Sequence, residues 1–158
     1  MYLNNEILFR LHKALNLTSK EMVNIYKLEA YEITEARLDN LLKRRQEEDF
    51  VLCGYEELGI FLDALIIYKR GASTQTIKRS ETVELSNNLI LKKLRIALEL
   101  KEPETEIIFS LGEASLSKQE FKALFRKEEN KNFKACSNTL LFAFLEGLGE
   151  FNYEGAEV

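Results

Sequence analysis

A single proline stands in 158 residues, with 7 glycines, no tryptophan, 2 cysteines and one histidine, His12. A soluble chain of this length usually carries roughly 8 prolines and 11 glycines. The tight turns of a sandwich or barrel have little here to be made from, so an all-α protein is expected. An excess of positive charge is also missing. The formal net charge is −4, with 22 basic against 26 acidic residues, so bulk charge advertises neither nucleic acid nor an anionic membrane. The most apolar window, Leu58 to Tyr68, is interrupted by Asp63 and is about half the roughly 20 residues that a bilayer demands. The opening Met-Tyr-Leu-Asn-Asn-Glu lacks the basic region and small-residue cleavage site of a signal peptide, and the cytoplasm is the expected compartment. No Cys-x-x-Cys occurs, which excludes a zinc site of that kind and a disulfide framework. A lone histidine cannot build a metal centre that needs three or four ligands. No cofactor and no metal are implied.

What is present is a folding composition, 46% hydrophobic and 30% charged, arranged twice. Shifted by 83 residues, Asn4-Asn5-x-Ile7-Leu8 falls on Asn87-Asn88-x-Ile90-Leu91, and Phe50-x-x-Cys53 falls on Phe133-x-x-Cys136. Leu58-x-x-Phe61-Leu62-x-x-Leu65 falls on Leu141-x-x-Phe144-Leu145-x-x-Leu148. About 18 of the 62 positions from 4 to 65 are identical in this one ungapped register, far beyond chance. The chain therefore reads as a first helical repeat over 1–71, a polar linker over 72–85, a second repeat over 86–153 and an acidic tail over 154–158. Each repeat is short for an independent core. Two copies in one chain are expected to pack on each other as an internal pseudo-dimer.

Each repeat reads as four helices of three to four turns. Asn88 is placed to cap a helix whose apolar stripe is Ile90, Leu91, Leu94, Ala97 and Leu98. A second helix starts near Pro103 and ends at Gly112, its counterpart opening with the capping-box pattern Thr18-x-x-Glu21. The third begins at Ser117-x-x-Glu120, matched by Thr34 and the stripe Leu38, Leu41, Leu42. A polar loop then leads to the fourth. The copies also differ in a patterned way. Leu89 and Ile96 stand where the first copy has Glu6 and Lys13, and Ile60 and Ile67 face Ala143 and Glu150. Apolar stripes outside the shared core need a cover, so these four residues are expected at a repeat–repeat seam or a partner interface.

The second and third helices of each repeat have a helix-turn-helix look, in which the later helix would present Arg37, Lys43, Arg44 and Arg45, then Lys118, Lys122, Arg126 and Lys127. Interspersed Glu35, Asp39, Glu120, Glu128 and Glu129 dilute that face. Cys53 and Cys136 share one slot before the fourth helix and read as repeat-equivalent structural cysteines rather than reactive thiols. His12 aligns with Arg95 and reads as a solvated helix-face residue, and Asp63, aligned with Glu146, as the wet side of its helix. Phosphate loops, nucleophile elbows and His-containing triads are absent, so no catalytic residue is nominated.

The run Asn87-Asn88-Leu-Ile-Leu-Lys-Lys-Leu-Arg-Ile-Ala-Leu-Glu-Leu-Lys, with Ser117-Lys118, Leu124-Phe125-Arg126-Lys127 and Lys131-Asn132-Phe133-Lys134-x-Cys136, resembles the YehS-like bacterial proteins, a family defined by a duplicated domain of unknown function. The resemblance spans both repeats; Ser137-Asn138 departs from the Gly-Asp of the family pattern. It implies a small cytoplasmic bacterial protein and supplies no catalytic or binding residues. The functional expectation is a non-catalytic helical binding or adaptor protein acting through protein contacts. The runner-up is a helix-turn-helix-like nucleic-acid-binding regulator. A protein partner is expected, nucleic acid is the second candidate and membrane is not; monomer and homodimer both stay open.

Overall fold

The computed structural model describes residues 3–71 and 85–156, with side chains through residue 152. All regular structure among them is helical: α1 (Leu3–Ala14), α2 (Ser19–Lys27), α3 (Glu35–Leu41), α4 (Tyr55–Arg70), α5 (Asn87–Leu98), α6 (Glu102–Leu111), α7 (Lys118–Leu124) and α8 (Asn138–Ala156). The chain divides between Leu85 and Ser86 into two compact units of four helices. The linker read over 72–85 lies, Leu85 apart, outside the described residues. So do Glu157 and Val158 of the acidic tail, whose first three residues are the last turn of α8.

Helix starts follow the side chains. Thr18 and Ser117 accept the N–H of Glu21 and Glu120, whose carboxylates return to the Thr18 and Ser117 N–H groups at 2.9 and 3.1 Å. Those bonds to N–H groups hold both carboxyls below their ordinary pKa, the backbone of Thr18 and of Ser117 being the largest cause in each. Thr34 caps α3 and Ser137 caps α8. One expectation fails: the cap of α5 is Ser86, accepting from Leu89 N at 3.1 Å, and Asn88 lies inside the helix.

Identity between the repeats marks the core. Ile7, Leu8, Leu11, Ala14, Ile25, Leu41, Leu58, Phe61, Leu62 and Leu65 are buried, and so is every one of their counterparts. The fourth helix is central in each unit. α1 and α2 pack on α4, and α5 and α6 pack on α8. In α4 every residue from Glu57 to Ile66 is buried, Asp63 among them at 2% exposure. Asp63 therefore does not mark a wet side. A helix buried all round has none, whereas the aligned Glu146 is exposed. In the second unit α6 and α8 approach so closely that a Cβ on Gly112 would meet the Ala143 carbonyl oxygen and one on Gly147 the Ile108 carbonyl oxygen. Glu29 and Ala64 stand at these places in the first unit.

The duplicated Asn-Asn pair ties the polar loop to the first helix. Asn5 Nδ2 donates to Leu41 O (2.9 Å) and Val51 O (2.8 Å), while its Oδ1 accepts Cys53 N–H (2.8 Å). Asn88 repeats the pattern with Leu124 O, Lys134 O and Cys136 N–H, each at 2.9 Å. Asn4 and Asn87 add bonds to Cys53 O and Cys136 O. Three main-chain groups, two carbonyls and one N–H, find their partner in a single side chain each time. The same clamp explains why α3 and α7 span only 7 residues, two turns rather than three or four. The carbonyls of Leu41 and Leu124 are taken by Asn5 and Asn88, and the chain turns away.

Candidate functional site

The short third helices redistribute the basic residues nominated from sequence. Arg37, Lys118 and Lys122 lie on α3 and α7, but Lys43, Arg44, Arg45, Arg126 and Lys127 fall in the loops that follow, so no single helix face gathers them. Arg37 is committed elsewhere: its Nε and Nη2 reach Glu57 Oε2 and Oε1 at 3.0 and 2.8 Å, a bidentate pair. Tyr31 Oη donates to the same Oε2 at 2.8 Å, and Tyr26 Oη to the Glu57 main-chain oxygen at 2.9 Å. Burial and its bond to Glu57 push the Tyr31 phenol up to about 12, and Arg37's own bonds to Glu57 raise the Arg37 pKa. In the second unit Ala114, Glu120 and Leu140 occupy these positions, so the polar triad belongs to the first unit alone. Lys43 leans on its own loop, donating to Glu48 O at 3.1 Å.

Of the remaining nominated residues, Arg126 and Lys127 help to build a cleft of about 640 Å³ within the second unit, between α5 and the loop after α7, while Arg44, Arg45, Lys118 and Lys122 do not line it. Its size falls within the range of ligand-binding pockets, about 300–1,000 Å³. Leu89, Ile96 and Leu100 form one apolar wall, Leu124, Phe125 and Phe133 the other. Lys92, Arg95, Arg126 and Lys127 line it too, against one carboxylate, Glu128. Arg95 is fixed in place. Its guanidinium carbon sits 4.4 Å from the Phe125 ring centroid and 5.6 Å from that of Phe121, and Nε bonds Leu100 O at 3.3 Å. Burial lowers its pKa, though a guanidinium stays charged at any ordinary pH. Of the four apolar residues assigned to an interface, Leu89 and Ile96 thus share this cleft, Ile60 is buried in α4 and Ile67 is half-buried near its end.

Elsewhere the nominated groups are structural. Burial pushes the Cys53 thiol up to about 12, with the Glu57 charge adding to it, and burial pushes Cys136 up to about 11. Each Sγ approaches the next residue's carbonyl, Gly54 O at 3.5 Å and Ser137 O at 3.4 Å. His12 is not a solvated face residue. It is half-buried beside Phe9, its Nδ1 has no hydrogen-bond partner, and burial with the neighbouring Lys13 charge lowers its pKa. Among the described residues no three His, Cys, Asp or Glu side chains gather as a metal site, and no helix is long and apolar enough to cross a membrane.

A family model described as "Protein of unknown function (DUF1456)" matches this chain twice, over residues 4–71 and 87–152, the two halves that carry the Asn clamp. The chain belongs to the DUF1456 family. It is 33% identical over 146 residues to "Uncharacterized protein YehS" of Escherichia coli (strain K12), an alignment covering 92% of this chain and 94% of that protein. No solved structure matches it. The resemblance read from the second repeat is borne out over both copies.

Within this DUF1456 chain every residue lining the cleft except Ser86 lies in the second family segment. Sequence reasoning found four of its residues, Leu89, Ile96, Arg126 and Lys127, but assigned them to two separate surfaces. It missed Lys92, Arg95, Phe125 and Phe133. A signal existed for three of these: Lys92, Arg95 and Phe125 replace Phe9, His12 and Leu42 in an otherwise shared frame. What the comparison of repeats could not show is that α5 and the loop after α7 face each other across a gap.

Proposed function

We propose that this chain is a non-catalytic binding protein that acts through protein contacts, with the cleft of the second repeat as its contact site. The observation that carries the reading is where the cleft is built. The core positions common to both repeats hold the fold, while Leu89, Lys92, Arg95, Ile96 and Phe125 differ from their first-repeat counterparts and converge on one concavity. The non-catalytic part is supported by the chemistry of the buried groups. Both thiols are held in the neutral form, and the Glu57 carboxylate is occupied by Arg37 and Tyr31. A photo-crosslinking amino acid in place of the exposed Ala135, at the cleft rim, tests the reading in cells that make the protein. The expected result is one discrete protein adduct, lost when Leu89→Glu and Ile96→Lys are introduced. Absence of any protein adduct overturns it.

A nucleic-acid reading keeps one observation in its favour: Lys118, Lys122, Arg126 and Lys127 are all exposed on the second unit. Fluorescence anisotropy of labelled duplex DNA and single-stranded RNA at about 50 and 200 mM salt separates the two readings, because phosphate contacts lose most of their affinity over that range. Binding that collapses with salt and with Arg126→Glu/Lys127→Glu would put the regulator first. Flat traces retire it.

A further inference from the structure

Resting on the protein-contact reading, we propose that the partner segment seated in the second-repeat cleft is an acidic amphipathic helix, its apolar side chains lying against Leu89, Ile96 and Phe125 and its carboxylates meeting Lys92, Arg126 and Lys127. Three features point to this chemistry. Four cations line the cleft against the single Glu128, in a unit whose 10 basic residues are outnumbered by 12 acidic ones, so the local excess is positive and calls for an anionic occupant. Aliphatic and aromatic walls supply contacts that a phosphate chain would not use, so the occupant carries apolar groups as well. Finally, Leu89, Lys92 and Ile96 lie along two turns of α5, a lining about 10 Å long at 1.5 Å per residue. That is the spacing of anchors at i, i+3 or i+4, and i+7 on a helix laid into a groove.

The Arg95 stack gives the site a rigid charge. With its guanidinium over Phe125 and its Nε on Leu100 O, the side chain is positioned before any partner arrives. The first repeat carries Glu6, Phe9, Lys13 and Leu42 at the positions of Leu89, Lys92, Ile96 and Phe125, so one repeat is specialised and the other is not. The same comparison supplies a variant the fold tolerates, because Glu6 and Lys13 already sit at these helix positions without disturbing the shared core.

The test selects random 16-residue peptides on phage against the full chain, with counter-selection against a Leu89→Glu/Ile96→Lys double variant shown to be folded by circular dichroism. The expected outcome is a recovered set rich in Asp and Glu with apolar residues at helical spacing. A synthetic member should lose at least tenfold in affinity on the double variant, and three- to tenfold on Arg126→Ala/Lys127→Ala or on raising salt from about 50 to 300 mM. Should the double variant misfold, the charge reversal Lys92→Glu/Lys127→Glu replaces it. Cleft-dependent peptides that are neutral or basic overturn the acidic class and leave the protein-contact reading standing. Recovery of no cleft-dependent peptide overturns the inference, and the crosslink from position 135 then reports separately on the wider reading. Laurate or single-stranded RNA occupying the cleft in place of peptides also overturns it.

Discussion

At the scale of single residues, the asparagines of the duplicated pair bear more weight than their polar character suggests. Asn5 satisfies two carbonyls and one N–H buried at the loop before α4. Replacing it with alanine leaves all three without a partner, and the expected loss is roughly 2–4 kcal/mol by urea denaturation. Asn88 makes the same bonds nearer solvent, so Asn88→Ala should cost less; equal and negligible losses would show that water replaces the clamp. The cysteines give a second prediction. With their thiols raised to about 12 and about 11, both should resist iodoacetamide at pH 8 in the folded protein, Cys53 more than Cys136, and react promptly in urea. Cys53 has a higher pKa folded than its ordinary 9.0 and so keeps its proton longer in the native state. Its contribution to stability is complete below about pH 9 and declines as pH climbs toward 12, a decline that Cys53→Ala should lessen.

Helix pairs show how one frame was tuned two ways. The Thr18 and Ser117 capping boxes and the core stripes were legible because they depend on neighbours three or four residues away. The two-turn length of α3 and α7 was not, since it is set by amides more than 30 residues distant in sequence. The close approach of α6 and α8 is of the same kind. Gly147→Ala should cost about 1–3 kcal/mol, because the methyl has backbone rather than a flexible side chain to displace. The mirror change in the first unit, Ala64→Gly, should also destabilise, by about 1 kcal/mol, through loss of helix propensity. If Gly147→Ala proves neutral, the helix pair has slack that the contacts do not show. Ser137-Asn138, the departure from the family pattern, earns a structural explanation here too. Ser137 caps α8, and Asn138 Oδ1 accepts from Asn87 Nδ2 at 2.8 Å, whereas Gly54 in the first unit caps nothing with a side chain.

For the molecule as a whole, the two units share a plan in which the fourth helix is the hub. Native-state hydrogen exchange should therefore be slowest in the middle of α4, residues 57–66, and at the buried positions 144, 145, 147 and 148 of α8, and fastest in the loops after α3 and α7. Uniform protection along the third helices would contradict that plan. The binding reading also belongs to this scale. It rests on a difference between two halves that share one helical frame, which is why the variant that carries first-repeat residues at 89 and 96 is the sharpest probe of the cleft.

Duplication, helix class, capping and the core were determined by the sequence itself, because a 3.6-residue stripe and an 83-residue self-match are local or repetitive signals that survive without any knowledge of packing. Tertiary structure alone decided the rest. It buried Asp63 in a helix that has no wet face, spent Arg37 on Glu57, and moved five of eight nominated cations from a helix to loops. It also brought Lys92, Arg95 and Phe125 to one cleft with Leu89 and Ile96. The physical reason is common to all four: which groups meet depends on where distant backbone segments find hydrogen-bond partners, and that is settled by packing rather than by periodicity.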